Sequence, residues 1–476
     1  MSDTSYVVFS GGSACNSLVN AFQTITSKVS YILAISDNGG STSELLRVLG
    51  GPSIGDLRSR LIHLINTEDS EERIAIKELL NYRLSEGLDE NIVRDEWTEI
   101  VEGRHGLWDN IAIEKKETIR GFLVLFNFEI LKRAHKHFNF RNGSVGNFFL
   151  TGARVFFSSL EAAIFLFASI TAIREPTYVL PVINTNQTAS IAALLENNEI
   201  LHGQCEISHP QRKKQKDMLY HLNPIDAFSK LALPSSPMLT IDESENENLV
   251  FDKSTIDQLP APIKRIYYMN EYGQEIYPLP NPKILDHLMI SSDVVYSIGS
   301  LYSSILPCLI LRKVGYAIAH SGSLKRKILV LNGINDRETY NHTAIDFIVA
   351  ITNALNESQL IDARRAFYDE LHSPTDLAKP VDCTSSFRKW SSRPSTSPPN
   401  HIGTKRLGKS KSFRMAQQEG YHNKIADPIA PFPPELVPAF PPSTYITHLI
   451  YLTNSCKFLK RQLIRGLYIH CFPFFF

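Results

Sequence analysis

Close to the N-terminus, two apolar runs each end abruptly in a turn of glycine and small polar residues. Tyr6-Val7-Val8-Phe9 meets Ser10-Gly11-Gly12-Ser13, and Tyr31-Ile32-Leu33-Ala34-Ile35 meets Ser36-Asp37-Asn38-Gly39-Gly40-Ser41-Thr42. Between them, Ser17 to Thr26 fits a helix with Leu18, Val19 and Phe22 on one face. Strand, helix and strand in that order imply a crossover, so the two strands are expected to lie parallel in a sheet covered by helices. Both glycine turns then fall at the carboxyl edge of the sheet. There, backbone N–H groups and helix N-termini attract anions. The ligand class this arrangement suits is a nucleotide or a phosphorylated metabolite.

The pattern continues along the chain. Ser43 to Leu49 is a short helix, Gly50-Gly51-Pro52-Ser53-Ile54-Gly55-Asp56 a loop, and Leu57 to Ile65 a helix. Residues 71–137 read as a helical insertion. Within it Glu72 to Leu84 and Thr118 to Lys136 are amphipathic, whereas Trp97 to Asn110 has weak periodicity and is expected as an inserted surface element. Arg141-Asn142-Gly143-Ser144-Val145-Gly146-Asn147 opens a helix from Phe148 to Phe156, and Leu160 to Ile173 is a strongly apolar helix. Strands are expected at Tyr178 to Ile183, in a hairpin of Ile191 to Leu195 with Glu199 to Ile207, and at Ile266 to Met269, Val294 to Ile298 and Lys327 to Leu331. Gly299-Ser300-Leu301-Tyr302-Ser303-Ser304 leads into a helix at Ile305, and Thr343 to Leu355 is a late helix.

The expected fold class is therefore α/β: a Rossmann-like three-layer sandwich with a mainly parallel sheet over residues 1–365. Residues 378–444 are rich in Ser, Pro and scattered charge and are expected to form a disordered tail. Residues 445–476 turn aromatic and basic and end Phe472-Pro473-Phe474-Phe475-Phe476. This terminus finds no partner in the pattern. It is read as an artefact of gene prediction in preference to a membrane-seeking tail.

Composition narrows the class. Lys+Arg and Asp+Glu balance at 49 each, which argues against bulk electrostatic binding to nucleic acid or acidic membrane. The six cysteines are scattered without a C-x-x-C pair, which suits a reducing compartment and neither a disulfide frame nor a zinc site. The first residues lack a basic segment followed by an apolar one. The stretches Phe122 to Ile130 and Leu160 to Ile173 are too short or too interrupted to span a bilayer. The expectation is a cytoplasmic protein without stable membrane insertion. The Leu160 to Ile173 helix serves a core or a homo-oligomer interface equally well.

Four loops combine glycine with Ser, Asn or Asp: Ser10-Gly11-Gly12-Ser13, Asp37-Asn38-Gly39-Gly40-Ser41, Asn142-Gly143-Ser144-Val145-Gly146-Asn147 and Gly299-Ser300-Leu301-Tyr302-Ser303-Ser304. None matches G-x-x-x-x-G-K-[ST] or G-x-G-x-x-G, so neither P-loop hydrolysis nor dinucleotide redox chemistry is supported. In this order, with Gly55-Asp56-Leu57-Arg58 and Ile305-Leu306-Pro307, they resemble the 2-phospho-L-lactate transferase family, which includes the gluconeogenesis-factor-like proteins that bind UDP-sugars. Asn332 and Glu338-Thr339 fit the family's last strand-to-helix loop. The likeness runs from about Tyr6 to Leu355, and its spacing is closer to the gluconeogenesis-factor branch.

The resemblance implies a Rossmann-like core that binds a nucleotide diphosphate moiety or nucleotide-sugar with Mg²⁺. In one branch a phospholactyl group passes from a guanosine diphosphate-linked donor to an acceptor hydroxyl. That activity is a transfer of phosphorus-containing groups. In the other branch, UDP-sugar binding regulates carbon flux or wall synthesis. This chain departs from the second branch at Asn38, where that branch usually has an aspartate, and at Gly143, where it usually has a histidine.

The candidate catalytic residues are Asp37 and Asp56, with Asp37 as the Mg²⁺ ligand, since carboxylates hold hard cations beside phosphates. An Asx-turn at Asp37 and a helix cap at Asp56 are the alternatives. Gly11, Gly12, Ser13, Asn38, Gly39, Gly40, Ser41, Gly143, Gly299 and Asn332 are candidate ligand-binding positions. Arg58 suits a bidentate phosphate clamp, with plain solvation as its alternative. Ser144, Asn147, Ser300, Ser303 and Ser304 suit phosphate or base contacts, with capping and turn chemistry as theirs.

Overall fold

The computed structural model describes residues 4–68, 70–133, 135–173, 175–209, 258–270, 272–371, 437–452 and 469–474. The expected tail at 378–444 lies almost wholly outside these residues. The chain divides into one unit of Met1–Gln359 with Ala439–Phe476 and a second of Leu360–Pro438. Of the second, residues 360–371 complete the helix Ala344–Leu371.

The first unit is organised by a seven-stranded, all-parallel sheet. In chain order its strands are β1 (Tyr6–Gly11), β2 (Val29–Leu33), β3 (Tyr178–Pro181), β8 (Asp293–Gly299), β9 (Arg326–Val330), β10 (His448–Leu452) and β11 (His470–Phe474). Their spatial order is β11-β10-β9-β8-β1-β2-β3. Every residue of β1 and β2 is buried, as expected for parallel strands covered on both faces. The chain lays β1, β2 and β3 outward in one direction. It then returns to place β8 against the other side of β1. The order thus reverses between β1 and β8, the position where open α/β sheets form a ligand crevice. Phe9 and Tyr296 stack across this junction with ring centroids 5.9 Å apart.

Helices α1 (Val19–Ile25), α2 (Ser43–Leu49) and α3 (Gly55–Leu64) follow the first strands. The insertion contributes α4 (Glu71–Asn81), α5 (Glu90–Glu102) and α6 (Ile113–Leu131), and these precede α7 (Val145–Phe157) and α8 (Leu160–Ile170). One expectation is corrected here. Trp97 belongs to α5 and is core, only 2% exposed. Val93, Trp97 and Ile100 repeat at helical spacing and are all buried, although charged residues between them hide the periodicity. The α5 helix starts on Asp89, whose side chain accepts from Asn91 N–H, and ends at Gly103 with φ 80°. Trp97 packs against Phe126, Phe140 and Phe148 at centroid distances of 5.9, 5.5 and 4.9 Å. This aromatic cluster ties the insertion to α7.

A second, antiparallel sheet has the order β5-β4-β6-β7. Its strands are β4 (Ser190–Leu195), β5 (Ile200–His202), β6 (Ile263–Met269) and β7 (Glu275–Ile276). The expected hairpin is present as β4 and β5, but Gly203–Ser208 turns into a short helix, α9, and does not extend β5. Ile266 to Met269 joins this second sheet and not the parallel one.

The C-terminal segment corrects another expectation. β10 pairs with β9 and with β11, both in parallel. Tyr445 is fully buried, donates to Asn356 Oδ1 at 2.9 Å, and its carbonyl accepts from Tyr296 O–H at 3.1 Å. A five-residue apolar strand whose partner lies far upstream has no local signature, so its pairing was invisible to periodicity. Among the described residues, no single helix is long and apolar enough to cross a bilayer.

A chain ending at residue 444 loses Tyr445 and the two strands β10 and β11 on one side of the sheet, and exposes β9. By circular dichroism it should melt at least about 5 °C below the full chain, or lose its cooperative transition. An unchanged melting curve would show that these strands do not dock.

Candidate active site

Because all seven strands are parallel, their carboxyl ends meet along one edge, and the sequence-distant glycine loops converge there. At its centre β1 and β8 come so close that neither Gly11 nor Gly299 has room for a Cβ: the one at Gly11 would strike the Ile298 carbonyl, and the one at Gly299 the Gly11 carbonyl. Gly299 also has φ 131°, which side chains rarely adopt. Asn332, just past β9, holds this turn reciprocally: its Oδ1 accepts from Gly299 N–H at 2.9 Å and its Nδ2 donates to the Gly299 carbonyl at 2.8 Å. Asn332 is thus committed to shaping the first and fourth loops.

Asp56 lies against this junction from α3. A Cβ on Gly12 would lie 3.2 Å from Asp56 Oδ2 and 3.5 Å from Ser304 Oγ. The Ser13 backbone N–H donates to Asp56, while Asp37 stands close enough to repel it. Burial first, and the Asp37 charge second, push the Asp56 carboxyl up to about 7 against the opposing pull of Arg60 and Arg58. Burial likewise raises Asp37, opposed by its bond from Gly39 N–H at 2.9 Å. Both carboxylates are half-buried and lie close enough for the Asp37 charge to act on Asp56.

Two arginines support this acidic pair. Arg60, missed in the sequence reading, is fully buried. It donates to Ser10 Oγ at 2.8 Å and to the Cys15 carbonyl at 3.2 Å, and it stacks 4.6 Å from the Tyr31 ring centroid. Its only sequence signal was its place two residues after Arg58. Arg58 is buried too, and is held by Asn147 Oδ1 at 3.3 Å and Asn81 Oδ1 at 3.1 Å. Burial and the neighbouring Arg83 lower its pKa to about 10.

The third loop joins through α7. Asn147, fully buried, donates to Ser41 Oγ at 3.1 Å and so connects the second loop to Arg58. Ser144 is fully buried and its hydroxyl has no partner. Gly143 is enclosed: a Cβ there would fall 2.7 Å from the Phe140 carbonyl oxygen and against the Phe148 ring. A histidine at 143 is therefore excluded by packing. Asn38 is exposed and its Oδ1 accepts from Cys205 N–H at 3.0 Å, tying α9 to the second loop. Burial and Asp37 push the Cys205 thiol up to about 12, so it stays protonated. Ser13 is exposed, Gly39, Gly40, Ser41 and Ser300 are half-buried, and a Cβ at Gly40 would meet open space.

The fourth loop holds a difference from expectation. Its helical turn Leu301–Ile305 receives Glu338, whose Oε2 accepts from Tyr302 N–H at 2.9 Å and Ser303 N–H at 3.0 Å. Oε1 accepts from the hydroxyls of Ser303 and Ser208. Burial and Asp336 push Glu338 up to about 7. Three amide sets at this edge are therefore capped by the chain's own carboxylates: Ser13 by Asp56, Gly39 by Asp37 in the Asx-turn that was the alternative reading, and Tyr302 with Ser303 by Glu338. The reason is general, since a helix N-terminus attracts whichever anion the fold supplies. A 580 Å³ cavity lined by Glu71, Glu78, His105 and Asp109 lies in the insertion, and none of the candidate site residues lines it.

A parallel sheet reversing at β1 and β8, with glycine loops and paired aspartates at the reversal, defines an α/β protein with a ligand cradle at its carboxyl edge. A family model described as 2-phospho-L-lactate transferase CofD matches residues 6–372, and the chain belongs to that family. It is 41% identical over 378 residues to the uncharacterized protein YNL011C of Saccharomyces cerevisiae, which spans 74% of this chain and 83% of that one. It is 28% identical over 151 residues to the gluconeogenesis factor of Bacillus subtilis, a match covering 29% of this chain and 44% of that one. A crystal structure of a UPF0052-family protein from Bacillus halodurans covers 77% of this chain and 85% of its own, with 18% identity and a TM-score of 0.47.

The raised Asp56 pKa has a stability consequence in metal-free buffer. The folded chain holds a proton that the unfolded aspartate, with a pKa of about 3.9, releases. Its contribution is complete below about pH 4 and is lost as pH rises through 7. Asp56→Asn should therefore narrow the difference between urea midpoints at pH 5 and pH 8. A difference equal to the wild type's would show that Asp56 is not perturbed.

Proposed function

We propose that this chain binds a nucleoside diphosphate or nucleotide-sugar ligand with Mg²⁺ at the β1–β8 reversal, and transfers a phosphate-linked group to an acceptor hydroxyl. The observation carrying this reading is the pair Asp37 and Asp56, two half-buried carboxylates that repel each other beside the glycine loops. Such a pair calls for a cation. Among the described residues no group of three or more His, Cys, Asp or Glu side chains is placed to hold a metal. Mg²⁺ takes one or two carboxylates and completes its shell with water and phosphate oxygens, so Asp37 and Asp56 would suffice as its protein ligands. Asp37 would hold the ion, which when bound supplies neutralising charge to the phosphate oxygens.

The remaining roles belong to the chain. Gly11 and Gly299 let β1 and β8 close up at the reversal, Gly12 leaves room for Asp56 beside the first loop, and Arg58, fixed by Asn147 and Asn81, would offer its guanidinium to the phosphates. The acceptor oxygen forms a bond to the donor phosphorus as the bond to the leaving nucleotide phosphate breaks. The hydroxyl proton passes to Asp56. Gly39, Gly40 and Ser41 border the same phosphate path, with Ser304 on its opposite side.

A second reading is a non-catalytic, UDP-sugar-binding regulator of the gluconeogenesis-factor type. Two observations favour it. Gly143 is packed so closely that no proton-transferring side chain fits there, and the Asn38 amide is occupied with α9. Calorimetry with GDP, GTP and UDP-N-acetylglucosamine, with and without Mg²⁺, separates the two. Guanine preference is expected for the transferase and uridine preference for the regulator; silence across the panel would refute both. Asp37→Ala should abolish the Mg²⁺-dependent part of the affinity at least tenfold, and undiminished binding would remove Asp37 from the metal site.

A further inference from the structure

Helix α7 is buried along most of its length, yet it carries a polar stripe. Asn147, Thr151 and Arg154 recur at i, i+4 and i+7, which places them on one helix face. The first two are satisfied within the protein. Asn147 bonds Ser41 and Arg58, and Thr151 Oγ1 donates to the Asn147 carbonyl at 2.8 Å. Arg154 is not. It is 8% exposed, and its hydrogen bonding consists of Nη2 donating to the Gly50 carbonyl at 3.2 Å. A guanidinium carries five N–H donors, and among the described residues the Gly50 carbonyl takes one of them. Among the described residues no carboxylate pairs with it, and burial alone acts on its charge. Arg58 and Arg60, equally buried, both have Asp56 as counter-charge. Buried cations without an anion are rare because their desolvation goes uncompensated.

The surroundings are shaped for an anion. Gly51 has φ 101°, and a Cβ there would fall 2.6 Å from Arg154 Nη1, so only glycine lets the backbone lie against the guanidinium. The turn is anchored by Gly51 N–H donating to Thr188 Oγ1 at 3.2 Å. Two residues on, Ser53 N–H donates to the Ile35 carbonyl at 2.9 Å, which fixes it at the end of β2. The hydroxyls of Ser53 and of Ser36, next to Ile35, are both buried, and among the described residues both lack a partner. The Gly50-Gly51 turn that touches this guanidinium thus runs two residues later into Ser53, which is bonded to the strand exit that carries Ser36, just before Asp37.

We propose that Arg154, with the Gly50-Gly51 turn, Ser36 and Ser53, forms a second oxyanion subsite that takes the carboxylate or phosphoryl group of a small organic acid or of the ligand in the main cradle. The planar fork of the guanidinium matches either oxyanion through two parallel hydrogen bonds. The subsite extends the binding edge described above, but small anions test it whether or not a nucleotide binds.

The test is calorimetric titration of the full chain with inorganic phosphate and with L-lactate at matched ionic strength. Saturable binding of at least one is expected. Arg154→Gln should weaken it at least tenfold, and Arg154→Lys, which keeps the charge but not the fork, should fall between. Phosphate alone assigns the subsite to a phosphoryl group, lactate alone to a carboxylate, and each supports it. A parallel titration with GDP and UDP-N-acetylglucosamine identifies the source. Loss of nucleotide affinity in Arg154→Gln places a nucleotide phosphate there, and retention within threefold places a separate acid there. If the wild type binds neither small anion, or if Arg154→Gln binds as tightly as wild type while only its melting temperature drops, Arg154 merely ties the Gly50 carbonyl and the subsite does not exist. Should Arg154→Gln fail to fold, the Arg154→Lys titration decides in its place: weakened anion binding supports the subsite, and wild-type affinity overturns it.

Discussion

The structure depends on how closely two strand ends can approach. Gly11 and Gly299 are in register where β1 and β8 end, and each occupies space that the other's side chain would need. With no Cβ at either position, the backbone can turn away from the sheet at the point where strand order reverses. That turn opens the crevice, sets the first and fourth loops side by side, and leaves room for Asp56 to reach Gly12. Asn332 fixes the arrangement from the next strand, using both ends of its amide on Gly299. The rest of the cradle is built outward from this contact.

Around it, carboxylates occupy the positions that helix termini make favourable for anions. Asp37 and Asp56 bond to the amides of the loops they border, and Glu338 crosses from the loop beyond β9 to cap the turn after β8. Burial raises all three pKa values, and two of the groups worsen each other. Strongly perturbed groups gather at functional sites, although structural caps such as Glu338 are perturbed by the same burial. The antiparallel sheet contributes through α9. That short helix reaches Asn38 on one side, while Ser208 at its end meets Ser303 and Glu338 on the other.

Much of this was legible in sequence because the signals are local. A run such as Tyr6 to Phe9 ending in Gly-Gly identifies both a strand and the edge where it stops, so the loops and the α/β class could be named in advance. Misreadings arose where the deciding partner was distant. Trp97 looked superficial because charged neighbours diluted its helical spacing, and its burial depends on Phe126, Phe140 and Phe148. The strand at His448 to Leu452 could not be paired on paper because β9, its partner, lies beyond a long intervening segment. Asn332 and Ser303 looked like ligand contacts, but their polar groups are largely committed to Gly299 and Glu338.

The sequence by itself determined which segments are buried parallel strands and which glycine turns interrupt them, because hydrophobic period and φ freedom are properties of a few adjacent residues. It also determined family membership, since ordered motifs survive without coordinates. Only the tertiary structure decided which charges face one another. The repulsion of Asp37 and Asp56, the capping by Glu338 and, among the described residues, the burial of Arg154 without a carboxylate partner depend on atoms far apart in the chain. Electrostatic energy follows distance and dielectric, and neither can be read from the order of residues.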